Sequence, residues 1–437
     1  MNEPGWVEHA VWWQVYPLGF VGAYPGGREN GRLARITDWL DYAVELGASG
    51  LLLGPIFAAE THGYDTTDHL RIDPRLGDEA DFDALIAAAH DRGLRVLLDG
   101  VFNHVGRGHA AFRAVLDQGR EAPTASWFKL TWPDGGGGPE YGTFEGHGAL
   151  VALQHAEPAV ADYVTDVLTH WLRRGADGWR LDAAYAVPTE FWATVLPRVR
   201  AEFPDAYVFG EVIHGDYTEF VEKSTVDSVS QYELWKAIWS ALNEGNFFEL
   251  SWALERHNGF LDRFVPQTFV GNHDVTRLAS KLTDERHVPL ACALLLTVGG
   301  TPSIYAGDEQ GFQGDKQDRE HGDDAVRPAF PARPADLAPY GWSLYHLHQE
   351  LIGLRRRHAW LHRARTKTVH LTNEQFVYEA SDSGRRLLVA LSVGAAAAEL
   401  PVPYGKSVLH GTGVLERGGA ADAAVVLPAH GWAVLEA

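Results

Sequence analysis

The chain has 437 residues, 46% hydrophobic and 22% charged, and its 58 acidic against 37 basic side chains give a formal net charge of −21. That composition belongs to an ordinary globular protein with enough chain for a large core, which excludes disordered and fibrous classes. The acidic balance also argues against a polyanionic partner, since nucleic-acid binding needs a basic face to release counterions.

In chain order the pattern alternates between strand and helix. Residues 11–20 form an apolar, aromatic strand-like run, and 33–46 have helical periodicity ending at Gly47, a C-cap residue. Residues 50–57 read as a buried strand, 81–92 as a helix closed by Gly93, and 95–102 as a third strand. The rhythm then breaks. From 103 to about 155 the chain is rich in glycine, proline and aromatics, including the run Gly135 to Gly138, which reads as an inserted loop domain. Alternation resumes with a helix at 158–174, a fourth strand at Gly178-Trp179-Arg180-Leu181-Asp182, a helix at 188–203 and a fifth strand at 207–213. A weaker sixth strand (226–231) precedes a helix at 234–242. A seventh strand (267–271), a helix (288–298), an eighth strand (302–306) and a last helix (341–358) complete the series.

Eight strands alternating with helices, the strands apolar enough to be buried on both sides, predict a (β/α)₈ TIM barrel. The short alternating segments after Trp360 predict a C-terminal antiparallel β-sandwich. The expected division is residues 1–103 and 157–359 for the barrel, 104–156 for the insert and 360–437 for the β domain. A doubly wound sheet is the alternative fold, but no Gly-x-Gly-x-x-Gly follows the first strand, so no dinucleotide site is expected. The single cysteine, Cys292, sits in an apolar run and is predicted to be a buried, inert thiol. The start, Met1-Asn2-Glu3-Pro4-Gly5-Trp6, lacks a basic and apolar leader pattern, and no stretch is apolar for long enough to span a bilayer. A cytoplasmic protein without membrane contact is therefore expected.

Barrel enzymes carry their chemistry at the C-terminal ends of strands. Strand three ends in Asp99-Gly100-Val101-Phe102-Asn103-His104, strand four in Arg180 and Asp182, strand five in Glu211 and strand seven in Asn272-His273-Asp274, and His62-Gly63-Tyr64-Asp65 follows strand two. One Asn or Asp after a strand is usually a turn or cap residue, but five strand ends bearing such groups outweigh that reading. Arg180 and Asp182, two residues apart, face the same way, and a cation there is expected to keep Asp182 ionised. A rim of carboxylates, histidines, an arginine and a tyrosine suits glycosidic-bond cleavage, with one carboxylate attacking, one protonating and one holding hydroxyls.

These segments, in this order and spacing, resemble the four motifs of the α-amylase family of glycoside hydrolases. The likeness runs from about residue 11 to 329 and includes Gly63-Tyr64-Asp65 and Thr301-Pro302-Ser303-Ile304-Tyr305-Ala306-Gly307-Asp308-Glu309. It implies Asp182 as nucleophile, Glu211 as general acid/base and Asp274 as transition-state stabiliser. Arg180 would orient Asp182, His104 and His273 would bind hydroxyls, Tyr64 would stack under a sugar ring, and Asp65 is carried with them as substrate-binding. The outcome implied is retention, with the Asp182 and Glu211 carboxyls about 5–5.5 Å apart. Residues 178–187 and 210–214 look somewhat like cyclomaltodextrinase and neopullulanase enzymes, without the N-terminal domain those usually carry.

The expected substrates are maltooligosaccharides, cyclodextrins or related α-glucans, and the alternative is an α-glucan transglycosylase or trehalose-synthase-type isomerase using the same residues. Where many α-amylases have a lysine and a calcium-linked histidine, this chain has Tyr185 and Ala186. Asn103 alone does not make a site for a cation wanting six to eight oxygens, and solvated loop charges are the simpler reading of Asp134, Glu140 and Glu145. No cofactor or metal is expected to be required, calcium included. Trp132, Tyr141 and Phe144 are candidate stacking residues of the insert.

Overall fold

The computed structural model describes residues 3–23, 32–134, 137–319, 321–417 and 423–437. Eight parallel strands form one sheet: β1 Trp12–Val15, β2 Gly50–Leu53, β3 Arg95–Val101, β4 Gly178–Asp182, β5 Tyr207–Gly210, β6 Ser228–Val229, β7 Gln267–Phe269 and β8 Thr301–Tyr305. They pair in chain order, with β1 beside β8, and a bridge between Ser230 and Gln267 closes the barrel between β6 and β7. The predicted (β/α)₈ architecture is the observed one.

Period-two alternation divides each strand between two environments. Trp13, Leu51, Leu53, Val96, Leu98, Trp179, Leu181 and Val208 belong to the main core. Trp12, Leu52, Leu97, Tyr207 and Phe209 form a separate cluster inside the barrel, with Val7 from the short helix Gly5–His9. Trp12 and Tyr207 stack there at 6.3 Å and 12°. Their bulk requires glycine on neighbouring strands: a Cβ on Gly50 would lie 2.3 Å from the Trp12 ring, and one on Gly178 would lie 1.9 Å from the Tyr207 carbonyl oxygen.

Several elements differ from expectation for local reasons. The run 11–20 is strand only to Val15, because Pro17 starts the one-turn helix Pro17–Phe20. The helix expected at 33–46 is two helices, Ala34–Thr37 and Leu40–Leu46, the second ended by Gly47 at φ 101°. The strand expected at 50–57 stops at Leu53, and Phe57–Ala59 instead pairs antiparallel with Thr66–Ile72, a hairpin that carries Tyr64. Helix Phe247–Leu261 was not anticipated. Gly245, in the left-handed region, ends the helix Tyr232–Glu244, and Asn246 caps the next one.

The chain between β3 and helix Pro158–Arg173 holds a helix, Ala110–Gln118, and a three-stranded sheet of His104–Gly106, Thr143–Phe144 and His147–Ala152. Of the Gly135 to Gly138 run, the first two residues lie outside the described ones.

The C-terminal region is two antiparallel sheets, of five and three strands. Val377, Leu388, Leu400, Val425 and Leu435 pack between them, while Phe376, Tyr378, Val389 and Val434 face the barrel side. Cys292 is fully buried in helix Val288–Thr297, and burial raises its thiol far above the ordinary range, so it is held as an unreactive thiol.

Candidate active site

One buried guanidinium organises the mouth of the barrel. Arg180, in register with Asp99 of β3 and Phe209 of β5, points into the barrel two residues above Gly178. Its Nη1 donates to both Asp99 oxygens at 2.7 and 2.6 Å and to Asp182 Oδ1 at 3.1 Å. Its Nη2 lies 2.8 Å from Glu211 Oε1 and 3.7 Å from Asp274 Oδ2. Four carboxylates thus share one cation, and Arg180 is not the private partner of Asp182 that the sequence suggested.

Glu211 has two donors of its own. Besides Arg180, the Tyr232 hydroxyl donates to its Oε1 at 3.0 Å and the Ala183 N–H to its Oε2 at 3.0 Å. Ala183 adopts φ 44°, a left-handed conformation that costs a non-glycine residue on the order of 1 kcal/mol and turns this N–H toward Glu211. Asn272 Nδ2 donates to the Tyr232 oxygen at 3.0 Å, which fixes the direction of the phenolic proton.

The electrostatics follow from that distribution of donors. Burial and the Glu211 charge raise the Asp182 carboxyl well above its ordinary range, with Arg180 pulling the other way. Arg180, expected to keep Asp182 ionised, is shared among four acids and offsets that shift only in part. Burial also raises Asp99, to about 6, against Arg180. Asp274 is held below the usual carboxylate range in spite of its burial, by His273, Arg327 and Arg180. Burial pushes His273 itself down to about 3. The ring is therefore neutral, and the stabilising charge on Asp274 comes from Arg327 Nη2, 2.8 Å away, and Arg180.

His273 is the centre of a parallel stack, with Tyr64 at 5.7 Å and 3° and Tyr16 at 5.8 Å and 13°. Its Nε2 meets the Tyr64 hydroxyl in a short hydrogen bond, and Gln14 Nε2 lies 3.1 Å from its Nδ1. His104 Nε2 lies 3.0 Å from the Tyr64 carbonyl oxygen, and its ring stacks on Phe144 of the insert at 4.8 Å.

A cavity of about 740 Å³ opens above this network. Asp182, Glu211, Asp274, Tyr64 and His104 line it, with Phe144, Tyr185, Tyr232 and Arg327. Arg180 and His273, also expected to bind substrate, are not among the lining residues and contact the carboxylates that are. Asp65, expected to bind substrate, is not among the residues that line the cavity. It is 2% exposed and accepts from Thr61 Oγ1 at 2.6 Å. Of the insert aromatics only Phe144 lines the cavity. Tyr141 packs on Phe112, and Trp132 lies under Arg120.

Tyr232 and Arg327 carry no role in the sequence reading, and Asp99 and Asn272 stand there as strand-end groups without one. Asp99 is a charge inside Val96-Leu97-Leu98-Asp99, and alternation from the inward Leu97 would have pointed it inward. Tyr232 follows β6, whose weak pattern hid a strand end. Arg327 carries no local signal, because only the loop after β8 brings it to Asp274.

A parallel (β/α)₈ barrel with three carboxylates converging on one cavity at its C-terminal rim defines a glycosidase-type site. The comparisons place the chain within that class. Residues 14–365 match the family model described as "Alpha amylase, catalytic domain", and the chain belongs to that family: it is an α-amylase-family glycosidase, a hydrolase acting on glycosyl bonds. It is 32% identical over 436 residues to a cyclomaltodextrinase of Geobacillus thermopakistaniensis, covering 92% of this chain and 72% of that protein. Among solved structures, the debranching enzyme of Nostoc punctiforme superposes with a TM-score of 0.87 at 27% identity, covering 100% of this chain and 99% of the other. The cyclic α-maltosyl-(1→6)-maltose hydrolase of Arthrobacter globiformis superposes with a TM-score of 0.84 at 27% identity, over 100% of both chains.

Proposed function

We propose that this protein hydrolyses α-glucosidic bonds of short or cyclic α-glucans with retention, through a covalent glycosyl-enzyme on Asp182. The observation that carries the reading is the convergence of Asp182, Glu211 and Asp274 on one cavity over the Arg180 guanidinium. In the first step Asp182 attacks the anomeric carbon while Glu211 gives its proton to the leaving oxygen; in the second, Glu211 takes a proton from a water whose oxygen bonds to the anomeric carbon as the bond to Asp182 breaks, which frees the sugar and restores the carboxylate. A sugar seated with its anomeric carbon against Asp182 favours the ionised form of that carboxyl, because positive charge develops beside it, and the glycosidic oxygen accepts from Glu211. Asp274, already ionised beside Arg327, would hold ring hydroxyls as the ring flattens.

The names of the relatives, a cyclomaltodextrinase and a cyclic α-maltosyl-(1→6)-maltose hydrolase, support short or cyclic substrates. A Tyr185 hydroxyl bonded at 3.0 Å to Glu145 of the insert supports the same reading, since this pair stands at the wall of the cleft. Incubation with maltotriose, cyclodextrin, pullulan, isomaltose, maltose and sucrose, with the products identified, tests it. Smaller products with initial α configuration are expected; longer or rearranged products would mean transfer to a sugar hydroxyl instead.

We also propose that catalysis needs no calcium. Asn103 donates its amide to His104 Nδ1, Asp134 and Glu140 are exposed, and Glu145 accepts from Tyr185. The donors that the resemblance raises do not assemble around Asn103. A calcium-selective chelator is expected to leave the rate unchanged.

No helix among the described residues is long and apolar enough to cross a membrane.

A further inference from the structure

Away from the cleft, two histidines and an aspartate from opposite sides of a domain junction meet. Asp284 caps the short helix Glu285–His287, which leads into helix Val288–Thr297 behind β7. His430 comes from the turn between the C-terminal strands Ala423–Leu427 and Trp432–Glu436. His287 Nε2 lies 3.0 Å from His430 Nδ1, and Asp284 Oδ2 lies 3.8 Å from that same nitrogen. One ligand atom from each residue falls within 4.8 Å of the others, the one such group of three among the described residues.

We propose that Asp284, His287 and His430 form a transition-metal site of the zinc class, which ties the C-terminal sheets to the barrel. Tetrahedral zinc with bonds of about 2.0–2.2 Å sets its ligand atoms about 3.3–3.5 Å apart. The observed separations of 3.0 and 3.8 Å bracket that spacing, so small side-chain rotations complete it. Two imidazoles and one carboxylate with a position left for water is a recognised zinc donor set, and it is too poor in oxygen for calcium or magnesium.

Two features of the surroundings favour a metal over a plain histidine pair. His287 is 6% exposed, and its far nitrogen, Nδ1, is buried beside the main chain of Leu242 without a hydrogen bond of ordinary geometry. A metal on Nε2 would hold the proton on Nδ1 and direct it at that carbonyl, the usual outer partner of a ligating imidazole. His430 adopts φ 55°, a strained conformation for a non-glycine residue, and that geometry aims its ring at His287. Arg286 competes for the carboxylate, with Nη2 2.6 Å from Asp284 Oδ2. Arg286 is largely exposed, and surface pairs of this kind contribute only about 0–1 kcal/mol, so a metal displaces it readily.

The test uses the full chain, stripped of metal with a zinc-selective chelator and titrated with zinc alone in a calorimeter. One equivalent per chain is expected, together with a rise in Tm and, with cobalt substituted, the visible absorption of a four-coordinate site. His287→Gln and His430→Gln should each weaken binding by more than the about 10–100-fold that loss of an outer partner costs. Oligosaccharide hydrolysis and circular dichroism confirm that these variants fold. Absence of stoichiometric binding, or uptake unchanged in both variants, overturns the site.

Discussion

The base and the mouth of this barrel are built from the same strands, facing the same way, one or two residues apart. At the base, Gly178, Leu97 and Tyr207 surround a dry aromatic stack. At the mouth, Arg180, Asp99 and Asp182 of the same strands make an ionic network. Two residues of strand separate a region built on aromatic packing from one in which four acids compete for one cation. The base can be optimised for stability because it touches no substrate. The mouth keeps charges that burial penalises, as the raised Asp182 and Asp99 carboxyls record.

The largest effect that separates the two regions is Asp182→Asn. It should lower turnover by about four orders of magnitude, roughly 5.5 kcal/mol of transition-state stabilisation, while thermal unfolding shows a Tm equal to or above that of the parent. The amide removes a carboxyl that burial disfavours in its charged form. Activity near that of the parent would remove Asp182 from the nucleophile's role.

Trp12→Ala probes the other end. Loss of a fully buried tryptophan costs about 3–5 kcal/mol, read as a fall in denaturant midpoint. The kcat of the molecules that remain folded should be unchanged, because Arg180 stands on a different level of the barrel. A variant that lost kcat without losing stability would show that base and mouth are coupled.

Acid unfolding sharpens the contrast. Burial lowers His69 and His273 to about 3, and His104, His109, His257 and His348 to about 4. The unfolded chain protonates these rings near pH 6.5 and the native one does not, so their stabilising contribution is complete above about 6.5. It is lost as pH falls toward 4, at up to about 1.4 kcal/mol per unit for each ring. Asp99, Asp227 and Asp308, raised by burial to about 6, and Glu309, raised to about 7, have the opposite sign and favour the native state on the acid side. Tm should therefore fall from pH 6.5 to 4 only by the excess of the six rings over these four carboxyls, while the deficit caused by Trp12→Ala stays constant, since no group of the basal cluster titrates in that range.

Most of the barrel was legible because its signals are local. Apolar runs mark buried strands, Gly47 marks a helix end, and polar groups at strand ends mark the rim. Elements decided by tertiary pairing were not legible. The hairpin of Phe57–Ala59 with Thr66–Ile72 reads as an extension of β2, and helix Phe247–Leu261 hides behind the cap at Gly245 and Asn246. The same division runs through the site. Asp182, Glu211 and Asp274 follow from strand ends, but the sharing of Arg180 among four acids depends on the register of β3, β4 and β5. Arg327 reaches Asp274 only through the fold of the loop after β8.

Tyr232 stands between those extremes, and its substitution carries the smallest of these effects. Its hydroxyl donates to Glu211 and accepts from Asn272, so Tyr232→Phe removes a donor from the proposed acid and leaves Asn272 Nδ2 without an acceptor. The unmet amide costs about 1–3 kcal/mol of stability. The kcat at the optimum is then expected to fall by about tenfold, roughly 1.4 kcal/mol, because Glu211 loses one of the contacts that fix its carboxyl. A purely structural tyrosine would lower Tm and leave the kcat of the folded enzyme unchanged. A lowered kcat would show that the mouth's hydrogen bonds, unlike the packing of the base, hold the proposed acid where the reaction needs it.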